Sequence, residues 1–449
     1  MPADKHYSLL ERFLRLGADV HPGEGGRIFS LCYMLFMLML TAYLMKPVRE
    51  ELILIENGSE VKSYATALQA IVLLLLVPVY GRLSRRFPAR GFMLGVTGFC
   101  TLMFILFIVM GSTGVPVAVP FYVWFGSYGL MVASQFWAYT SDFYTEDDGK
   151  RLFGLIAFGA AAGALAGSLL SKLIPKEVDP YLMLSCGVLV LTLAMVPVVF
   201  ERNPRMLNKP KAAPGLSWLD AFRLVLNNRY LLVIAIFTLL FNWLNSLGEY
   251  LVSVVVEYYY QQDLQAGLMA VSENAYIRSF YSDYYLLVNT LGMLVQFFAV
   301  SRMIQYLGVR ITIFLVPVFI FLGYSLVLVF PVVLFFKVIK VIENSLDYSL
   351  LGTIRQLLYS PADRQARYEG RAVIETLCVR LGDLLQGLTV FVAISLLMLE
   401  PVMILWVVIA LAASVILACV HVVRRYENYS RNPDEGDANA ENAAGTVQR

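Results

Sequence analysis

Apolar residues run along this chain in long blocks broken by short polar clusters, far from the strict alternation of a half-buried strand. A hydrocarbon core of about 30 Å takes about 20 helical residues to cross, and on that scale the blocks resolve into about twelve spans. They cover 28–46, 64–83, 92–111, 117–140, 152–173, 181–200, 230–250, 284–301, 311–330, 332–350, 372–399 and 401–423. A membrane barrel would instead show strands of roughly ten residues with alternating polarity. The pattern predicts an all-α integral membrane protein.

Composition sharpens this reading. With 59% hydrophobic and 15% charged residues, the chain lacks the material for an ordinary soluble surface. The first 26 residues are polar or weakly amphipathic (YSLLERFLRLG) and hold no early apolar core with a small-residue cleavage site, so no cleaved signal peptide is expected. The net charge of +2 says little, but its distribution is lopsided. Basic residues gather after span 2 (Arg82, Arg85, Arg86, Arg90), after span 4 (Lys150, Arg151) and between spans 6 and 7, and continue through Arg302, Arg310, Arg355, Arg364, Arg367, Arg424 and Arg425. The opposite loops carry mainly Lys62, Lys172, Lys176 and Arg278. The positive-inside rule then predicts that both termini are cytoplasmic, and the expected location is the cell (inner) membrane. Cys32, Cys100, Cys186, Cys378 and Cys419 fall inside apolar spans without a CxxC pair, so neither a disulfide framework nor a zinc site is indicated. No cofactor motif and no nucleic-acid-binding pattern is found.

The chain divides into an N-terminal segment (1–27), a six-span half (28–200), a Pro-rich basic linker (201–229), a second six-span half (230–423) and a small, polar tail (424–449) whose end is expected to be disordered. Faint copies relate the halves. YGRLSRRFPARGF after span 2 is echoed by VSRMIQYLGVRIT after span 8, DFYTEDDGKR by DRQARYEGR, and ERNP by SRNP, in the same order at a spacing of roughly 220 to 230 residues. GRLSRR resembles the basic loop motif of the major facilitator superfamily, G-x-L-x-D-R-x-G-R-R, with Ser84 in place of the usual Asp. Two like-oriented halves are what parallel repeats in a major-facilitator-like fold imply.

Charge inside the spans has a period of three. Spans 3, 6, 9 and 12 hold no Asp, Glu, Lys or Arg, whereas spans 1, 4, 7 and 10 carry, within them or at their edges, Lys46 and Arg49, Asp142, Glu249, and the set Lys337, Lys340, Glu343 and Asp347. The superfamily resemblance implies that these first helices of each three-helix unit line a central cavity. At about 100° per residue, Lys337, Lys340, Glu343, Asn344 and Asp347 fall within roughly 120° of arc, giving span 10 one polar face. A transport route and a set of ion pairs, within the same helix or to a neighbouring one, that merely holds the bundle together both fit that face.

Three segments resemble the ATP/ADP translocase family of nucleotide transporters: QFWAYTSDFYTEDDGKRLFGLIAFGAAAG at 135–163, NNRYLLVIAIFTLLFNWLNSLGEY at 227–250, and LLYSPADRQARYEGRAVIETLCVRLGD at 357–383. The resemblance implies that Glu249 takes the place of the family's glutamate in the seventh helix, Arg49 with Glu50 that of the Lys-Asp pair ending the first, and Arg371 that of the lysine opening the eleventh. Asn242 stands for the asparagine of L-[FY]-N. After Arg380 the family's R-L-G-K becomes Arg-Leu-Gly-Asp at Asp383, turning a positive charge negative.

What the resemblance implies is a secondary transporter, exchanging ATP and ADP by alternating access. A carrier of another organic or phosphorylated anion, with or without proton coupling, is the alternative. The expected substrate-binding set is Lys46, Arg49, Asp142, Asn242, Glu249, Lys337, Lys340, Asn344, Asp347, Arg371 and Arg380. Gly159, Gly163 and Gly167, spaced by four, are expected to let two helices pack closely. Trp137, Tyr139 and Trp243 fit packing better than base stacking. The three histidines lie near the ends of the chain and no HExxH, GxSxG or paired-aspartate motif lies within the spans, which disfavours an enzyme. A non-transporting receptor or assembly protein is the further rival. The sequence does not give an oligomeric state.

Overall fold

The computed structural model describes residues 7–15, 18–84, 86–175, 177–200, 218–267, 271–330, 332–362 and 366–431. The first linker residues (201–217) and the end of the tail (432–449) lie outside them, as do Arg85, Lys176 and Arg364. Among the described residues every regular element is helical. After a short helix, α1 (Leu9–Leu14), comes Gly25–Ser84, which breaks at Gly58 (φ 80°, ψ 175°) into α2 (25–57) and α3 (59–84). A positive φ of this kind is open to glycine at little steric cost, so one residue turns the chain between two spans. There follow α4 (Ala89–Ser112), α5 (Ala118–Ser141), α6 (Glu146–Leu173), α7 (180–200), the short α8 (Trp218–Asn227) and α9 (Arg229–Gln265). The stretch from Glu273 to Val329 turns at Gly308 (φ 70°) into α10 (273–307) and α11 (309–329). α12 (333–358), α13 (366–396) and α14 (Ile404–Arg431) complete the set.

Eight stretches are long and apolar enough to cross a membrane. Two of these are the glycine-broken pairs, and the more polar α5 and α12 complete twelve long helices among the described residues. Local chemistry starts several of them. The Thr145 hydroxyl accepts from the Asp148 N–H while the Asp148 carboxylate reaches back to the Thr145 N–H, closing a capping box at the head of α6. Asp179 caps α7 ahead of Pro180, and Asn228 caps α9. Helix ends run past the apolar blocks that reveal them: α9 continues to Gln265 and α10 begins at Glu273, because helical backbone persists where the side chains turn polar.

Two compact units form, one of Met1–Glu56, Leu76–Lys211 and Ala270–Asn289, the other of Asn57–Leu75, Ala212–Met269 and Thr290–Arg449, each taken over its described residues. In the first, the glycine stripe lies directly on backbone. A Cβ on Gly159, Gly163 or Gly167 would come within 2.2 to 2.5 Å of the carbonyl oxygens of Cys32, Phe36 and Leu40 on α2. Only bare backbone permits that approach. Phe104, Phe121, Trp124, Phe125 and Tyr128 form an aromatic core between α4 and α5. The outer surface is apolar, with Leu75, Leu102, Leu189, Phe298, Leu322 and Leu417 all at least 60% exposed. Such a surface suits lipid rather than water.

Candidate functional site

Polar side chains gather inside the second unit, on one face of α9. Asn242, Asn245, Ser246 and Glu249 are spaced by three and four, which puts them on one side of a helix. The upper part of this face meets α12. Lys340, with no exposed surface, donates through Nζ to Asn245 Oδ1 (2.9 Å), the Asn245 carbonyl (3.3 Å) and Glu343 Oε1 (2.8 Å). Glu249 Oε1 lies 3.6 Å from the same ammonium and accepts from Asn344 Nδ2 at 2.6 Å. Tyr324 of α11 donates to Glu343 Oε2 (2.9 Å). Gly248 closes the packing, since a Cβ there would stand 2.7 Å from both Lys340 Nζ and Tyr324 Oη.

The lower part of the face meets α13. Asp383 Oδ1 accepts from Asn242 Nδ2 (2.9 Å) and Ser246 Oγ (2.8 Å), and Oδ2 accepts from Arg380 Nη1 (2.8 Å). Further along α12, Asp347 opens a π-turn (Asp347–Leu351) and Arg355 reaches back to it at 2.8 Å. π-turns of this kind are frequent at functional sites. Thus Asn242, Glu249, Lys340, Asn344, Asp347 and Arg380 belong to one unit and, Asp347 apart, share the α9 face. Lys337 sits half-buried one turn before Lys340. Arg371 stands apart, paired with Glu375 (2.9 Å) and lying over the Tyr359 ring.

The first unit holds the remaining predicted residues. Arg49 bonds Glu50 and lies over the rings of Tyr122 (4.5 Å to the centroid) and Phe125 (5.8 Å). Tyr285 donates to Glu50 Oε1 at 3.4 Å. Glu51 and Arg278, both essentially buried, form a two-pronged pair at 2.5 and 2.7 Å. Lys46 rests over Tyr43 (4.0 Å) and Tyr285 (5.1 Å). Asp142 is the C-cap residue of α5, its N–H turned to the carbonyls of Thr140 and Tyr139.

A cavity of about 700 Å³ in this unit holds none of the predicted site residues. Its lining includes Glu24, Arg27, Ser30, Tyr139, Tyr144 and Asp148. Arg151 ties both oxygens of Glu24 (2.7 and 2.8 Å) and one of Asp148 (3.0 Å), and its guanidinium holds the Glu24 carboxyl below the usual range.

Sequence reasoning missed Tyr324, Asn245, Ser246 and the partnership of Arg278 with Glu51. Tyr324 lies in a span without formal charge, so a count of charged residues passes over it. The spacing of Asn242, Asn245, Ser246 and Glu249 was an available signal.

Charge pairs held inside an apolar helical bundle mark a candidate functional site. Residues 28–362 match the sequence pattern of the Major Facilitator Superfamily, most of the chain, and the protein belongs to that family. It is therefore a secondary transporter of a small-molecule substrate, a multi-pass membrane protein with the superfamily's fold. No curated protein matches the sequence. Solved structures share the fold at low identity. The nucleoside transporter NupG aligns at a TM-score of 0.66 with 11% identity, over 89% of this chain and 98% of that one. The POT family transporter PepTSo aligns at 0.62 with 13% identity, over 90% and 98%. A bacterial homologue of the iron transporter ferroportin, in an inward-facing state, aligns at 0.56 with 12% identity, over 90% and 98%.

Proposed function

We propose that this transporter moves nucleotides, with exchange of ATP against ADP across the cell membrane as the leading case and both termini cytoplasmic. The observation that carries this reading is the state of the charge pairs in the second unit. Lys340, Arg355 and Arg380 each have a carboxylate partner, and among these pairs Lys340 with Glu249 is the longest and has the most accessible carboxylate. Glu249 is 30% exposed and 3.6 Å away, against 0 to 10% and 2.8 Å for Glu343, Asp347 and Asp383. An arriving negative group displaces Glu249 most readily, leaving Lys340 held by Asn245 and Glu343, and Glu249 returns when the group leaves. The segments at 135–163, 227–250 and 357–383 point to nucleotides through their resemblance to ATP/ADP translocases, and NupG, a nucleoside transporter by name, is a carrier of related chemistry on the same fold.

A partly exposed acid beside a buried ammonium also fits a proton-coupled carrier of another organic anion, and one experiment separates the two. Proteoliposomes holding the full chain should take up labelled ATP faster when preloaded with ADP than when empty. Stimulation by a pH gradient and not by internal ADP would favour the coupled carrier. Absence of nucleotide uptake under both conditions would remove nucleotides as the substrate.

A further inference from the structure

Resting on that reading and refining it, we infer that Lys46 is the anchor for the substrate's anionic group, phosphate above all, on an aromatic seat made by Tyr43 and Tyr285. Lys46 has Glu50 four residues ahead, the ordinary partner for a lysine on a helix. That carboxylate is turned elsewhere, bonded by Arg49 and by the Tyr285 hydroxyl, while Glu51 is held by Arg278. Among the described residues no carboxylate lies within 4.0 Å of the Lys46 ammonium. Its neighbours are ring faces, at 4.0 and 5.1 Å, set at 83° to one another.

Ring faces attract a cation but supply no oxygen acceptor, so the N–H donors of a half-buried ammonium stay open to one. The aromatic seat fixes where the charge sits and leaves its hydrogen-bonding capacity for a ligand. Phosphate oxygens match this chemistry, and a compact ammonium meets them as a point charge. Lys340 is the opposite case, its donors already directed at Asn245 and Glu343.

The test is thermal stabilisation of the purified full-length protein by inorganic phosphate, pyrophosphate, ATP and citrate, for wild type, Lys46→Gln, Lys46→Arg and Lys340→Gln. Phosphate-bearing anions should raise the wild-type melting temperature. Lys46→Gln should melt near wild type without ligand yet bind roughly 10 to 100 fold more weakly, the loss expected for one hydrogen-bonded charge. Lys46→Arg should recover most of that affinity. Equal affinity in wild type and Lys46→Gln would overturn the inference, as would a wild type stabilised by none of these anions. A protein that binds phosphate through Lys46 but does not carry nucleotides would uphold the anchor and overturn the nucleotide reading, so the two fail separately.

Discussion

Lys340 donates to three oxygens and stands beside a fourth, whereas Lys46 lies against two tyrosine rings and no carboxylate. Each sits in a membrane-spanning helix of its own compact unit, and each answers the cost of an ammonium in hydrocarbon differently. Oxygens satisfy the charge and its donors together, so the group becomes part of the packing. Rings lower the cost of the charge and leave the donors unspent. The lesson is that a charge in a span is not by itself a binding residue. What matters is whether its donors are already committed.

The largest expected effect lies on the committed side. Lys340→Gln leaves Glu343 buried without its cation, and removing one member of a buried pair costs about 3 to 5 kcal/mol. Denaturation of the purified protein should show that loss, and the double variant Lys340→Gln with Glu343→Gln should recover part of it. A single variant as stable as wild type would erase the distinction between the two lysines.

Next comes Glu249, the partly exposed member of the cluster. A glutamine keeps an oxygen for Asn344 and removes only the charge. Glu249→Gln is expected to slow transport by about tenfold, while stability changes by less than about 1 kcal/mol. Loss of folded protein with normal turnover in the remainder would instead make Glu249 a packing residue.

Much of this arrangement was legible in the sequence, unevenly. Block length gave the spans, because crossing hydrocarbon demands a fixed run of apolar residues. Period-three charge and the arc on span 10 drew out Lys340, Glu343, Asn344 and Asp347, because helical geometry ties spacing to face. Partner choice was not legible. Whether Glu50 would meet Lys46, four residues back, or Arg49 beside it depends on Tyr285, more than two hundred residues away. Asp383 looked like a departure from a family pattern, yet it is the acceptor joining Asn242, Ser246 and Arg380. The turn of α12 from α to π at Asp347 left no mark in the hydrophobic pattern.

The smallest effect concerns the end of the first unit where Arg151 binds Glu24. Hydrogen bonding to that guanidinium holds the Glu24 carboxyl below its ordinary value of 4.5. A carboxyl lowered by folding contributes stability above the unfolded pKa and loses it as pH falls through the folded one. The wild-type melting temperature should therefore drop more steeply than that of Glu24→Gln as pH goes from 5 to about 3.5. Parallel curves would mean that the contact does not stabilise the fold.

The most direct test of Lys46 as the anchor is the concentration dependence of ATP uptake into ADP-loaded proteoliposomes, for wild type and Lys46→Gln at equal reconstituted amounts. Loss of a contact made alike to bound and moving substrate raises the half-saturating concentration and leaves the maximal rate. Lys46→Gln should thus reach nearly the wild-type maximum at roughly 10 to 100 fold higher ATP. An unchanged half-saturating concentration would contradict the account.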